Sequence, residues 1–567
     1  MVLFGRLPAA APGRTSTFLW LVVLGSLAAG LVSFAVGAGV VALWCFASVA
    51  VAAALVLPLH YALVSPLFVG VLAWLVDMLP FVVIIGWGAV VARWTATLVR
   101  ERRLPAGGRW IWLPIGLGVW TALGVIVIPG ADIKHFILLL AIQVTISGAV
   151  LAVVDCLGSL EERTKVAAGL VVFVLILTVG VLAEWAGVPL QTLQDRETSA
   201  LVEGAYGVDA FTNGVGMIKY ERSRRGGALE LSRKIEQIGK SNPGVPEVEV
   251  FQPTFSSFPG SLIVRFAGSA RPWERELAAA DVELLYDNLG FGPANQIPRL
   301  RSFPRNANTY AGIGAAILPF AFFLAWGSGR RRALGWTGVA ACFAGVAFSL
   351  TRGAWLAVAL GIAFLVVFGA VTRRQRLQMI GSFVLTAVVL TAFFFAVYRV
   401  DPVFARAKGE GSIGTRTATY GDTIEAVQGK YFLIGYGTEK PRTASGVSHA
   451  LGRYIPRAGT HSTYLNYLFR TGAPGALMIV ALYAAAGLHA LAAARSKVSQ
   501  EEKTWSTLAA AAVLIAAAHG VVLSLYVEPV YTLVISLLLG LAMAGTTNLK
   551  SSVLPWRAPP PQHAASR

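Results

Sequence analysis

Residues 373–399 read RRQRLQMIGSFVLTAVVLTAFFFAVYR. Three arginines stand ahead of an apolar run, Met379 to Tyr398, and a polar stretch opens at Arg399. Twenty helical residues rise about 30 Å, the thickness of a bilayer's hydrocarbon core, so the run reads as a transmembrane helix. Basic residues crowded at one end mark that end as cytoplasmic, which puts the polar stretch on the other side.

The same alternation extends through the chain. Runs of this kind lie at 17–34, 37–57, 61–76, 79–99, 110–128, 133–154, 165–187, 306–326, 333–350, 353–370, 462–491, 505–526 and 529–543. The 567 residues are 56% hydrophobic and only 13% charged, with a mean hydropathy of +0.66. The expected fold class is therefore an all-α polytopic membrane protein of about 12–14 transmembrane helices. The lower figure allows for the first four runs, whose separators are very short.

Two long polar segments interrupt the apolar pattern and set the expected domain order. A cytoplasmic N-terminus (1–16) is followed by N-terminal transmembrane helices (17–187), an extracytoplasmic insertion (188–305) and further transmembrane helices (306–398). An extracytoplasmic loop (399–461), C-terminal transmembrane helices (462–547) and a cytoplasmic tail (548–567) complete it. The Pro- and Ala-rich tail lacks apolar periodicity and reads as disordered. Within the insertion, 229–238 and 273–289 have helical spacing, while 248–251 and 261–266 alternate as strands around a Pro253 to Gly260 turn. A small α+β unit is expected there. It could recruit a partner or an acceptor, or cap the membrane core. The second loop is expected to be mostly helical.

A formal charge of +18 would suggest nucleic acid in a soluble protein. Here most of the basic residues outside the long segments form short clusters, at 100–109, 161–165, 330–332, 373–376 and 495–503, which alternate correctly if both termini are cytoplasmic. Membrane lipids, not nucleic acid, are the expected partners. Cys45, Cys156 and Cys342 lie far apart, so neither a disulfide framework nor a zinc site is expected. The first run is longer than a signal peptide's core and reads as a retained span.

The loop at 399–461 carries surplus positive charge on the side where Lys and Arg are usually avoided: nine basic residues between Arg399 and Arg457 stand against five acidic ones between Asp401 and Glu439. Something anionic should compensate them. Arg416 lies early in this loop, and His461 closes it. Arg352 sits between two apolar runs with almost no loop to hold it, at the expected outer boundary of the membrane. An arginine there either snorkels or meets an anion.

Four stretches carry a family resemblance. They are Phe303-Pro-Arg-Asn-Ala-Asn308 at the start of a span, Thr351-Arg-Gly-Ala-Trp-Leu356, Thr415-Arg416 followed by Phe432-Leu-Ile-Gly-Tyr-Gly437, and His461-Ser-Thr-Tyr-Leu-Asn-Tyr-Leu468 with Gly472-Ala-Pro-Gly475. In this order and spacing they resemble the O-antigen ligase and polymerase superfamily. The family has Asn after the histidine and Ser before the first arginine, where this chain has Ser462 and Thr351. Both keep a small polar group.

The resemblance implies an inverting, metal-independent glycosyltransferase of the bacterial inner membrane. It would move a glycan from undecaprenyl diphosphate to an acceptor hydroxyl on the outer face, with no cofactor. His461, Arg416 and Arg352 become the expected catalytic residues, and Arg352, Arg416, Arg305, Asn308 and Tyr464 the expected substrate-binding ones. Guanidinium groups suit a diphosphate leaving group because they stay charged and bind phosphate oxygens in pairs. An imidazole suits the acceptor's proton. The acceptor could be a lipid A core sugar, a growing glycan or a protein hydroxyl. The insertion at 188–305 could also receive polysaccharide assembly partners. A lipid or polysaccharide flippase and a non-catalytic assembly scaffold are the competing functions. Against a transporter stand the lack of a repeat and the scatter of Asp77, Asp155, Glu184 and Glu528 near span ends.

Overall fold

The computed structural model describes residues 14–36, 38–73, 79–105, 110, 112–127, 133–185, 214–219, 248–251, 261–266, 307–397, 420–421, 423–424, 427–437, 447–448, 453–454, 462–496, 498–523 and 529–544. Helices dominate these residues. The first eight are α1 (Arg14–Ala35), α2 (Gly39–Val56), α3 (Leu59–Ala62), α4 (Ser65–Ala73), α5 (Leu79–Glu101), α6 (Trp112–Val127), α7 (Ile133–Cys156) and α8 (Leu160–Trp185). The rest are α9 (Ala307–Ala325), α10 (Gly329–Phe348), α11 (Arg352–Phe368), α12 (Arg373–Val397), α13 (Lys430–Ile434), α14 (Thr463–Arg495), α15 (Gln500–His519) and α16 (Pro529–Met543).

Each of the fourteen apolar runs is helical over its described residues, with two departures from the expected outline. The run at 61–76 is broken between α3 and α4. Pro66 has no N–H and its ring would meet the carbonyl of the residue four back, Ala62, which is where α3 stops. The run at 505–526 ends early, at His519, where Gly520 caps α15 and the chain turns over 520–523. Several helices also begin in their basic clusters: Arg330 to Arg332 lie in α10 and Arg373 to Arg376 in α12. Arginine is a good helix former whose stem can lie along apolar surface while its head reaches water.

Among the described residues, five helical segments are long and apolar enough to cross a membrane: 81–101, 160–183, 308–325, 373–393 and 463–495. Seven further apolar helical segments are shorter. The protein is thus a mostly helical membrane protein. Its centre is α9, 94% buried over its apolar window and packed against α8, α10, α11, α15 and α16. At the periphery lies α12, buried over only 6% of its window, with Leu377, Leu385, Val388 and Val389 all exposed. Exposed aliphatics on a membrane helix face acyl chains, so this surface belongs to the lipid.

Charged groups gather at one end of the bundle. The Arg103 guanidinium binds Glu101 and both oxygens of Asp155, whose side chain has no exposure, and Trp94 Nε1 donates to the same carboxylate at 2.9 Å. Those two carboxylates hold the Arg103 cation well above the ordinary arginine range. Arg331 binds Glu501 at 3.0 Å, Arg163 reaches Glu502 at 3.7 Å, and the side chains of Gln500 and Thr504 donate to the Ala370 carbonyl. The ends of α5, α7, α8, α10, α11 and α15 that carry or adjoin the basic clusters therefore share one face.

The strands stand apart from the bundle helices. β1 (Gly214–Lys219), β2 (Val248–Phe251) and β3 (Ser261–Phe266) form an antiparallel sheet in the order β1-β3-β2, with Val248 opposite Phe266 and Lys219 opposite Ser261. β2 and β3 are the two strands read from alternation, and β1 had no such signal. The helical stretches expected at 229–238 and 273–289 lie outside the described residues. In the second polar loop the described residues hold α13 and a two-residue pairing of β4 (Val447–Ser448) with β5 (Arg453–Tyr454).

Candidate functional site

The end of the bundle opposite the salt bridges is organised around a short turn, residues 519–523, which follows α15. α15 has twenty residues and rises about 30 Å, so its C-terminal turn emerges at the far boundary of the hydrocarbon layer. Four other parts of the chain converge on that turn.

The first is the start of α14. Thr463 N donates to the carbonyls of Gly520 (2.8 Å) and Leu523 (3.1 Å), and its hydroxyl also donates to Leu523 at 2.7 Å. Tyr464 packs edge-on to Tyr483, and its hydroxyl donates to Ala517 at 2.7 Å. The second is the polar loop, where Tyr420 donates its hydroxyl proton to the Val521 carbonyl at 2.8 Å. The third is the α10–α11 turn. A Cβ built on Gly353 would overlap a methyl of Val522, so the first turn of α11 lies directly on the hub. The fourth is α9, whose Gly312 faces the His519 ring with room for hydrogen only, at 2.5 Å for a built Cβ. His519 is fully buried there and shares a hydrogen bond of 3.1 Å with the Tyr531 hydroxyl.

Around this hub three of the expected site residues can be placed. Arg352 is the first residue of α11 and is exposed. Its predecessor Thr351 is buried, and the Thr351 hydroxyl donates to Asn308 Oδ1 at 3.1 Å, tying the start of α9 to the start of α11. Leu350 takes φ +53, the left-handed conformation that lets the chain reverse between α10 and α11 without a longer loop. Tyr464 lies in the first turn of α14. Arg305, Arg416 and His461 lie outside the described residues. Tyr420 follows Arg416 by four residues, and Thr463 follows His461 by two.

The electrostatics of the two ends differ. At the salt-bridged end, α8 and α15 carry Glu161, Glu162, Glu501 and Glu502 in their first turns, which offset the partial positive charge of a helix N-terminus. At the hub end, α9, α11 and α14 have no acidic residue in their first turns. Their N-terminal dipoles and the Arg352 charge therefore favour an anion at that end.

A second contact fixes the end of the polar loop. The chain of α14 breaks at Gly472 (φ +68, ψ −174) and restarts with Pro474 in the new first turn. Gly435 mirrors it (φ +69, ψ −172). A Cβ on Gly472 would overlap the Leu433 carbonyl, and one on Gly435 would sit 2.5 Å from the Arg470 carbonyl carbon. Tyr436 N donates to Phe469 O at 2.7 Å, Gly437 N to Arg470 O at 2.9 Å, and the Tyr436 ring stacks between Tyr431 and Phe469. Trp120 Nε1 holds the kink from α6 by donating to Thr471 O at 2.7 Å. Two stretches far apart in sequence, 432–437 and 469–475, are thus one packed unit.

Sequence reasoning singled out Arg352, Asn308 and Tyr464 but missed Thr351 as a hydrogen-bonding partner, and it missed the hub entirely. The apolar run through 526 conceals the end of α15. Gly520 was the available signal.

Among curated protein sequences, none matches the chain. A family described as O-antigen ligase matches residues 337–480, which take in Arg352, Tyr420, the 432–437 segment, Tyr464 and the Gly472 kink. Asn308 and the hub residues 519–523 fall outside the match but are held to it by the contacts above. Residues 337–480 are accordingly similar to an O-antigen ligase domain, in agreement with the resemblance carried by the sequence motifs.

Proposed function

We propose that this protein is an inverting, metal-independent glycosyltransferase that moves a glycan from undecaprenyl diphosphate to an acceptor hydroxyl at the outer face of the bacterial inner membrane. The hub end is the outer, extracytoplasmic end, and both termini are cytoplasmic. The observation that carries this reading is the convergence at residues 519–523 of the starts of α11 and α14 and of the polar loop.

Arg352 and Arg416 hold the diphosphate and neutralise it as it leaves, because two fork-shaped donors meet its oxygens in pairs. Tyr420, four residues after Arg416, donates to Val521 at the turn that the start of α11 borders, which supports a shared role for Arg416 and Arg352. One residue separates His461 from Thr463, which is pinned to Gly520 and Leu523. His461 takes the proton of the acceptor hydroxyl as that oxygen attacks the anomeric carbon and the carbon–oxygen bond to the diphosphate breaks. Asn308 and Arg305 border the donor at the start of α9, with Asn308 oriented by Thr351. Tyr464 borders the acceptor side while its hydroxyl steadies α14 against α15. The acceptor is a lipid- or glycan-borne hydroxyl, and the insertion at 188–305 is the docking point for other assembly proteins.

Purified protein given lipid-linked glycan and acceptor should release undecaprenyl diphosphate in step with product. A flippase or a scaffold would release none. Excess EDTA should leave the rate largely intact. Activity lost to the chelator and restored by Mg²⁺ or Mn²⁺ would replace the arginine account with a metal-assisted one.

A further inference from the structure

The short helix α13 exposes the wrong side chains for a water-filled loop. Phe432 is 51% exposed and Leu433 is 59% exposed, while the opposite face of the same segment is buried through Val427 and Tyr436. Lys430 is exposed at the start of the helix with its ammonium 5.1 Å from the Tyr431 ring centroid. The segment 427–436 is thus held down by buried residues on either side of α13, while α13 itself is open, with a cation at its tip and two large apolar groups on its free side.

Its depth follows from what it is bolted to. From the Gly472 kink, α14 runs to Arg495, 23 residues or about 35 Å, enough to cross the hydrocarbon layer completely. Arg495 lies toward the salt-bridged end, so Gly472 sits at the opposite boundary. The Leu433 and Gly435 backbones touch Gly472, and the Ile434 carbonyl lies 3.7 Å from a Cβ built on Gly124 of α6. The neighbouring side chain Leu123 is itself 46% exposed, as are Val119 further along α6 (54%) and Leu477 of α14, five residues past the kink (68%). Those groups face lipid in a membrane helix. Phe432 and Leu433 continue their surface at its outer rim.

We propose that α13 is an interfacial membrane anchor: Phe432 and Leu433 insert into the acyl boundary of the leaflet at the hub end, and Lys430 meets the phosphate of a phospholipid headgroup. Lipid is favoured over the polyprenyl tail of a carrier because both side chains are half exposed on a projecting helix, whereas a bound chain is mostly enclosed by its pocket. It is favoured over water by the continuity with the exposed faces of α6 and α14. Aromatic and aliphatic residues beside a basic one are the composition of segments that lie in the interface plane. The anchor does not depend on which reaction the site performs. It would keep the end of the polar loop at headgroup level through the Gly435–Gly472 contact.

The test uses the full chain with Cys45, Cys156 and Cys342 replaced by alanine, reconstituted in nanodiscs of phosphatidylethanolamine and phosphatidylglycerol. An environment-sensitive fluorophore is placed on Leu433→Cys, on Phe432→Cys as a second variant, and on Gln428→Cys, an exposed residue ahead of the helix. Probes at 432 and 433 should emit to the blue of the probe at 428 and be quenched by a lipid spin-labelled near its headgroup. Iodide should quench them at least about threefold less than the probe at 428. Equal iodide quenching at all three positions would overturn the anchor. So would a probe shielded from iodide and spin-labelled lipid alike, which would mean that protein covers the patch. Lipid quenching abolished by added undecaprenyl phosphate would also overturn it, by assigning the patch to the carrier.

Discussion

A guanidinium and an ammonium carry the same charge, but only the former offers two parallel N–H groups to a phosphate. Arg352→Lys and Arg416→Lys should therefore weaken retention of the lipid diphosphate and cut transfer by on the order of 10², with normal protein level and insertion. His461→Ala should spare donor binding and lower the turnover step by ~10² to 10⁴. Equilibrium binding of the donor measured beside single-turnover transfer separates the two. A histidine variant that loses the donor as badly as Arg416→Ala would leave that residue without its assigned role. The glycines at 435 and 472 work differently. Both hold a backbone conformation that is nearly glycine-only, and both are in contact with backbone. Gly472→Ala should cost about 1–3 kcal/mol from the dihedrals alone. Thermal unfolding in detergent should show the drop, while Gly381→Ala, on an open helix face, should leave the midpoint in place.

Single contacts combine into element-level constraints where helices meet. α8 and α15 are joined by Arg163, whose side chain is only 3% exposed and whose guanidinium lies 5.8 Å from the Trp505 ring, and by Glu502, which is 36% exposed. Removing the carboxylate leaves a buried cation with less compensation, whereas replacing the arginine with an apolar side chain of similar length removes the charge itself. Glu502→Ala should therefore destabilise the protein by on the order of 1–3 kcal/mol, and Arg163→Met by less. Unfolding midpoints for the two variants and the double variant decide this. The reverse order would mean that the guanidinium's own hydrogen bonds, such as Nε to the Ser159 carbonyl at 3.3 Å, outweigh the ion pair. At the other end, α11 and α14 each begin with a residue whose side chain makes no capping bond, Thr351 and Ser462. Thr351 instead reaches across to Asn308. The helix starts are held by neighbouring elements and not by their own caps, which leaves their dipoles directed at the site.

For the molecule as a whole, sidedness is the property on which the function depends. Cysteines at Ser241 and Ser445 should react with an impermeant thiol reagent in intact spheroplasts, while one at Ser328, beside the charged end, should not. Accessibility of position 328 alone would invert the protein and remove the site from the outer face. Much of this arrangement is legible in the chain. Apolar runs of bilayer length must become helices, because in lipid every backbone polar group needs an internal partner. Basic clusters between runs sort to one face, and the salt bridges of Arg103, Arg163 and Arg331 show that they do gather. The motifs around Arg352, 432–437 and 461–475 carry the family resemblance without any structure. Hydropathy cannot tell which side of a helix meets protein. α9 and α12 are both apolar and long enough to cross, yet one is 94% buried and the other 6%, since acyl chains are as apolar as the leucines they touch. The hub at 519–523 and the embrace of Gly435 with Gly472 rest on hydrogen bonds and backbone contacts between residues tens of positions apart. Such pairings leave no period in the sequence, so only the packed bundle decided them.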